Sequence, residues 1–204
     1  PSAPAGPPQR PFAAAATQLP EPGPTAAWNP PLQAERTAPE PLSPEAFAAV
    51  LPRVVHARDR DDITEVLLDF LGAGFRRVLL FTHLQGELRG RDCRGDDLMV
   101  EAVRQVRIPA GGDSVFSRVI ASKTPYFGRL DERDPINAAF AQALGGVRGN
   151  VLVLPVILAT KVPVLVFASG SSRPLDPRSL QALTEAVAQS LERIILTRKF
   201  TPHA

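Results

Sequence analysis

Asn150-Val-Leu-Val-Leu-Pro-Val-Ile-Leu-Ala-Thr-Lys-Val-Pro-Val-Leu-Val-Phe-Ala168 is the stretch on which the fold turns. Two apolar runs, 150–158 and 162–168, flank the short break Ala159-Thr160-Lys161, so they predict an antiparallel hairpin. Both runs are apolar at nearly every position, as strands covered on both faces are. Just downstream, Leu175-Asp176-Pro177 supplies a staple residue, an N-cap and a proline at the first helical position, with Leu180 placed to meet Leu175. Leu180, Leu183, Val187, Leu191, Ile194 and Ile195 then recur at steps of three and four, which predicts a helix reaching toward Phe200. Such a helix, about 35 Å long at 1.5 Å per residue, exceeds what a small sheet needs for cover. Its far end is expected to meet the first helices, a second copy of the chain, or both.

Working upstream, Ile136, Ala139, Phe140 and Leu144 mark a short helix, and Val115, Phe116, Val119 and Ile120 another. Before them come three strands: Val78–Phe81, Leu88–Cys93 after a turn at Leu84-Gln-Gly86-Glu87, and Gln105–Ile108 ended by Pro109-Ala-Gly-Gly. Two helices precede the strands. One is capped by Ser43-Pro44 and carries Phe47, Val50, Leu51, Val54 and Val55, with Pro52 expected to kink or split it. The other starts at Asp61 or Asp62, where Asp62-Ile-Thr-Glu65 fits a capping box, and Gly72 and Gly74 stop it. The order helix–helix–strand–strand–strand–helix–helix–strand–strand–helix predicts an α+β domain. Its antiparallel sheet has about five to six strands.

Thirteen of the 22 prolines fall in residues 1–44 of the 204, and that stretch has no sustained apolar period. It is expected to be a Pro/Ala-rich disordered linker over 1–43, with Phe12, Trp28 and Leu32 its only bulky residues. The domain then occupies 44–200 and a tail 201–204. The linker is expected to join an upstream neighbour in a longer protein. No apolar run approaches the roughly 20 residues of a spanning helix, and no signal peptide is seen, so a cytoplasmic setting with no membrane role is expected. Arginine is scattered through every segment and the formal charge is only +2, which argues against nucleic acid as a partner. The single cysteine forms neither an internal disulfide nor a Cys-rich metal site, and His56, His83 and His203 are too dispersed for one.

With these segments placed, the chain resembles the GAF family of regulatory domains over about residues 45–199. Arg107-Ile-Pro109-Ala-Gly111-Gly-Asp-Ser-Val115-Phe-Ser-Arg-Val119-Ile-Ala-Ser-Lys-Thr-Pro125-Tyr looks like the family's central strand, glycine turn, short helix and Pro exit. Asn150–Leu158 resembles its penultimate strand. Val164–Ser169 followed by Arg173-Pro-Leu175-Asp-Pro and the long helix resembles its closing strand, corner and terminal helix. The resemblance implies terminal helices on one face of the sheet, short helices and loops with a ligand-sized pocket on the other, and dimerisation through the terminal helices. Three features depart from the family. The Asn-Lys-x-Phe-Asp-Glu motif of cyclic-nucleotide-binding members is absent, Pro163 stands where a Gly usually precedes the last strand, and one cysteine does not suffice for the methionine-sulfoxide reductase members. An enzyme is therefore not expected.

The candidate ligand-binding residues are Phe81, His83, Arg89, Arg91 and Phe116, joined through the resemblance by Tyr126 and Arg129. Strict alternation puts Arg89, Arg91 and Cys93 on one strand face and Leu88, Gly90 and Asp92 on the other. The two arginines then either bind an anionic ligand or acidic partner loop, or protect an edge strand by charge. Cys93 reads either as a strand-end residue or as a reactive thiol whose pKa Arg91 and Arg94 lower. Gly111-Gly112 reads as a turn capped by Asp113 rather than a phosphate cradle, and Ser114 has no nucleophile elbow around it. Phe47, Val50, Val54, Leu191 and Ile195 are the candidate homodimer interface. Two functions follow: a noncatalytic GAF-like sensory or regulatory module that binds a small ligand or relays a signal, or a degenerate domain acting as an interaction or dimerisation adaptor, its pocket filled by large residues such as Phe81, Phe116 and Tyr126. No metal or cofactor is expected.

Overall fold

Capping and turn chemistry near the chain's end is satisfied in the computed structural model, which describes residues 40–95, 97–171 and 175–200, the side chains of 199 and 200 excepted. Residues 1–39 of the expected linker, with Phe12, Trp28 and Leu32, the corner residues Arg173 and Pro174, and the tail with His203 lie outside the described residues, whereas Leu42, counted with the linker, is buried in the domain's core. In chain order the elements are α1 (Pro44–Val55), α2 (Arg60–Gly72), β1 (Arg77–Leu84), β2 (Glu87–Gly95), α3 (Val100–Gln105), β3 (Arg107–Pro109), α4 (Val115–Ser122), β4 (Tyr126–Arg129), α5 (Pro135–Ala143), β5 (Asn150–Leu158), β6 (Lys161–Ser171) and α6 (Pro177–Phe200). The strands form one antiparallel sheet in the order β3-β2-β1-β6-β5-β4. The architecture is α+β.

The β5–β6 hairpin closes with Leu158 opposite Lys161 and Ala159 at φ 54°. The β1–β2 hairpin turns through Gln85 at φ 52° and Gly86 at φ 78°, and two left-handed central residues match the twist of the paired strands. The N-cap Asp176 accepts hydrogen bonds from the Ser179 amide (3.0 Å) and hydroxyl (2.7 Å), which starts α6 where the staple reading placed it.

The sheet separates two apolar layers. On one face α1, α2 and α6 bury Phe47, Val50, Val54, Leu67, Leu71, Leu183, Val187 and Leu191 against Val78, Leu80, Leu154 and Val166. Each such side chain contributes roughly 1.5–3 kcal/mol when fully buried. Of the residues expected at a homodimer interface, Phe47, Val50, Val54 and Leu191 are buried inside their own chain, and Ile195 is half-buried. The far end of α6 meets the end of α1, where the Arg193 guanidinium donates to the Val55 and Ala57 carbonyls at 3.0 and 2.5 Å. No helix among the described residues is long and apolar enough to cross a membrane.

Several local expectations change. Helix α1 runs through Pro52 unbroken, because Pro52 and Ala48 both lie on the exposed side, where the carbonyl deprived of its donor meets water. Helix α2 starts earlier, capped by Asp59, whose carboxylate accepts from the Asp61 and Asp62 amides. The expected strand over 105–108 is split between the end of α3 and β3. Neither α3 nor β4 was anticipated, since six residues with one buried side chain and four with none leave no readable apolar period.

The largest change is on β2. Leu80 pairs with Asp92 but Phe81 pairs with Gly90, so Arg91 is an extra residue in the ladder. That bulge shifts the phase of the strand and puts Leu88 and Cys93 in the same apolar layer. Arg89, Arg91 and Cys93 therefore do not share a face.

Candidate functional site

The second layer, on the face opposite the terminal helices, is built around four phenylalanines. Phe140 meets Phe116 and Phe167 edge-on at 4.9 and 4.8 Å and Phe81 at 6.0 Å, while Phe81 and Phe116 lie 6.5 Å apart. All four are at most 4 % exposed. Aromatic rings thus occupy the middle of the space beneath the sheet. The expected pocket residues Phe81 and Phe116 are core.

An open cleft lies to one side of them, between α3, β3 and α5. Helix α3 lies close on β2 only because position 90 is glycine: a Cβ there would sit 1.8 Å from the Val103 carbonyl oxygen. The Gly90 amide in turn donates to the Val106 carbonyl at 3.1 Å. Opposite, α5 is held at both ends. At its start Asn137, fully buried, accepts from the Val115 amide and donates to the Asp131 carbonyl and the Asp134 carboxylate at 2.9–3.1 Å. At its finish the Arg77 guanidinium donates to the Leu144 and Gly146 carbonyls at 2.9 and 3.0 Å, tying down the turn that follows the helix.

The cleft between these elements encloses about 550 Å³. Ala102, Val106, Ile108, Ile136, Ala139 and Phe140 make its apolar wall. Gln105 and Arg107 bring polarity, and Arg107 is braced by donating to the Arg104 and Val106 carbonyls at 2.6 and 2.9 Å. A mostly apolar concavity with a few polar groups along one side is the usual form of a small-molecule site.

None of the candidate ligand-binding residues chosen from sequence lines this cleft. Arg91 reaches across to the Asp61 carboxylate of α2, Arg94 pairs with Asp69 at 3.1 Å, and Arg89 lies 3.5 Å from Glu87. The two candidate arginines are thus engaged in ion pairs, and Arg91 works on the terminal-helix side. His83 is half-buried, with Nδ1 3.1 Å from the Val162 carbonyl, beside the β1–β2 turn. Tyr126 lies over Gly128 and donates its hydroxyl to the Arg129 carbonyl at 2.6 Å, while the Arg129 side chain is exposed.

Two further expectations are corrected. Helix α4 is capped by Ser114, not Asp113: the Ser114 hydroxyl accepts from the Ser117 amide and the Ser117 hydroxyl accepts from the Ser114 amide, both at 3.1 Å. Burial pushes the Cys93 thiol up, with the Asp92 carboxylate adding to the rise, and these outweigh the Arg94 guanidinium. The thiol is disfavoured as a thiolate, opposite to the arginine-activated reading.

The crystal structure of the GAF domain from Acinetobacter phosphoenolpyruvate-protein phosphotransferase matches this chain with a TM-score of 0.57, over 78 % of this chain and 96 % of that one, at 11 % identity. The fold is GAF-like. A methyl-accepting chemotaxis protein, residues 122–287, matches this chain with a TM-score of 0.56 at 16 % identity, over 74 % of this chain and 99 % of its own. Free methionine-R-sulfoxide reductase from Neisseria meningitidis, solved with its substrate, matches with a TM-score of 0.57 at 15 % identity, over 75 % and 90 %. No family model and no curated protein matches the chain. The reductase corrects the expectation that the chain is not an enzyme: the GAF-like fold carries catalysis there, so it does not imply a non-enzyme.

Proposed function

We propose that this GAF-like domain is a sensory or regulatory module that takes a small, largely apolar ligand in the cleft between α3, β3 and α5. The observation that carries the reading is the cleft itself. Its volume falls within the roughly 300–1,000 Å³ of small-molecule sites, it lies on the sheet face away from the terminal helices, and Gln105 and Arg107 stand ready to orient a polar end. A ligand there touches β3 and α5 together, and it acts on the protein by binding one of their arrangements better than another.

Native mass spectrometry and thermal shift on the full chain test this, with Ala139→Trp as the blocked form, since Ala139 is exposed in the cleft wall. The expected result is a reproducible extra mass, or a melting temperature that rises with one compound class, lost in Ala139→Trp. No added mass and no shift across a metabolite panel, or the same response in the blocked chain, would overturn it.

A second reading, an adaptor domain with no small ligand, is favoured by the four phenylalanines that fill the centre of the layer. Its partner is proposed to be a second copy, meeting at Val55 and Leu196, which are 50 % and 51 % exposed near the joined ends of α1 and α6. Val55→Glu with Leu196→Glu converts such a dimer to monomer in analytical ultracentrifugation. An unchanged mass removes that interface.

A further inference from the structure

At the other end of α5, outside the cleft, the start of β1, the end of β6 and the 145–148 loop enclose a notch of about 340 Å³ lined by Arg76, Arg77, Arg148, Ser169 and glycines. Its charge is lopsided. Three guanidinium groups meet there, and Asp97 is the carboxylate that the described residues bring to them, 3.1 Å from Arg76 and 3.6 Å from Arg77. Arg148 makes no ion pair among the described residues.

The notch is also built. Arg77 is fixed by its two carbonyl acceptors at the end of α5 and only 17 % of its side chain is exposed. Across the sheet its direct partner is Ser169, which is 4 % exposed and whose hydroxyl has no hydrogen-bond partner among the described residues. The Arg77 Nε is buried without a hydrogen-bond partner, which is costly, and a hydroxyl lining the same cationic notch is placed to donate to an anion. Gly145 and Gly146 have positive φ, and a Cβ on either would meet nothing within 4 Å, so the floor of the loop is open.

We infer that this notch binds a phosphate group, either as inorganic phosphate or as the end of a phosphomonoester. A dianion with several tetrahedrally disposed oxygens answers guanidinium forks from different elements plus one hydroxyl, where a carboxylate offers two oxygens in one plane. Asp97, at 56 % side-chain exposure, is the competing anion that a phosphate displaces from Arg76. The site is separate from the cleft and does not depend on it.

Isothermal titration of the full chain at low salt, with inorganic phosphate, glycerol phosphate and acetate, tests the inference. Saturable binding of phosphate or of the ester, and not of acetate, is expected. Tighter binding of one than of the other identifies which source the notch fits. Arg148→Ala, which removes an exposed side chain, is expected to weaken binding about tenfold or more, as loss of a charged hydrogen-bond donor does. Ser169→Ala weakens it less. Asp97→Asn tightens it by about threefold, the worth of an exposed ion pair no longer competing. Ala139→Trp in the cleft leaves it unchanged, so failure of the cleft reading and failure of this one are told apart. The inference is overturned by any of three results: no saturable phosphate binding, binding indifferent to Arg148→Ala and Ser169→Ala in chains with parental circular dichroism, or binding lost in Ala139→Trp.

Discussion

Phe140→Ala tests the packing that divides filled core from open cleft. Phe140 is 4 % exposed and stands at the hub of the phenylalanine cluster, with three ring centroids within 6.0 Å, while its other side forms part of the cleft wall. Removing the ring leaves a hole on the order of 100 Å³, which at ~24 cal/mol per Å³ is about 2.4 kcal/mol of cavity cost. The lost transfer free energy of the ring adds about 2 kcal/mol. The sum, about 4 kcal/mol, sits inside the roughly 3–5 kcal/mol range for Phe→Ala in cores and is a large share of a typical stability of about 5–15 kcal/mol. Urea unfolding followed by circular dichroism reads it as a lower midpoint at unchanged slope. Added benzene is expected to recover part of the loss by filling the hole, as small aromatics do in dry engineered cavities. A loss under about 1 kcal/mol would refute the reasoning, since it would mean that α5 does not rest on the sheet through this ring.

The remaining predictions concern the groups that hold the site in place. Asn137→Leu strands the Val115 amide and the Asp131 carbonyl and is expected to cost about 2–3 kcal/mol in urea unfolding, against little for a surface Asn. Gly90→Ala drives a methyl into the Val103 carbonyl, so α3 is expected to lift and its amides to lose hydrogen-exchange protection ahead of the other helices; uniform protection would count against the close approach. Cys93, whose thiol burial pushes up, is expected to resist iodoacetamide at pH 8 in the folded chain and to react fully in denaturant. Asp59, held below its ordinary pKa by the Asp62 and Asp61 amides, stabilises the fold fully above its unfolded value of about 4. That contribution is lost as pH falls through the lower folded value, so the melting-temperature gap between Asp59→Ala and the parent should close on the acid side.

The fold was legible because its decisive signals are local and redundant. The Leu175–Leu180 staple, the Asp176 N-cap and Pro177 mark the start of α6 by three different mechanisms, and the two runs around Ala159 can pair in only one direction. Elements without that redundancy were missed. Helix α3 buries a single side chain, Val103, and β4 buries none, so tertiary contacts rather than any period in the sequence define them. The cleft depends on both short elements of its far wall, α3 and β3, which is why its lining was not read.

The misplaced arginines have a sharper cause. A period of two assigns faces by counting, and one inserted residue inverts every assignment beyond it. Arg91 is that residue: before it Leu88 faces the phenylalanine layer, after it Cys93 does, and no alternation counted through position 91 brings both inward. Nor does the sequence mark the bulge, since Gly90 beside it is glycine for another reason, the approach of Val103. The bulge also sets the arginines' partners. Arg91 and Arg94, three apart, both reach the acids of α2, Asp61 and Asp69, which two residues spaced by three in a regular strand would do from opposite faces. The bulge that inverted the face assignments in sequence is thus the feature that ties β2 to the terminal helices.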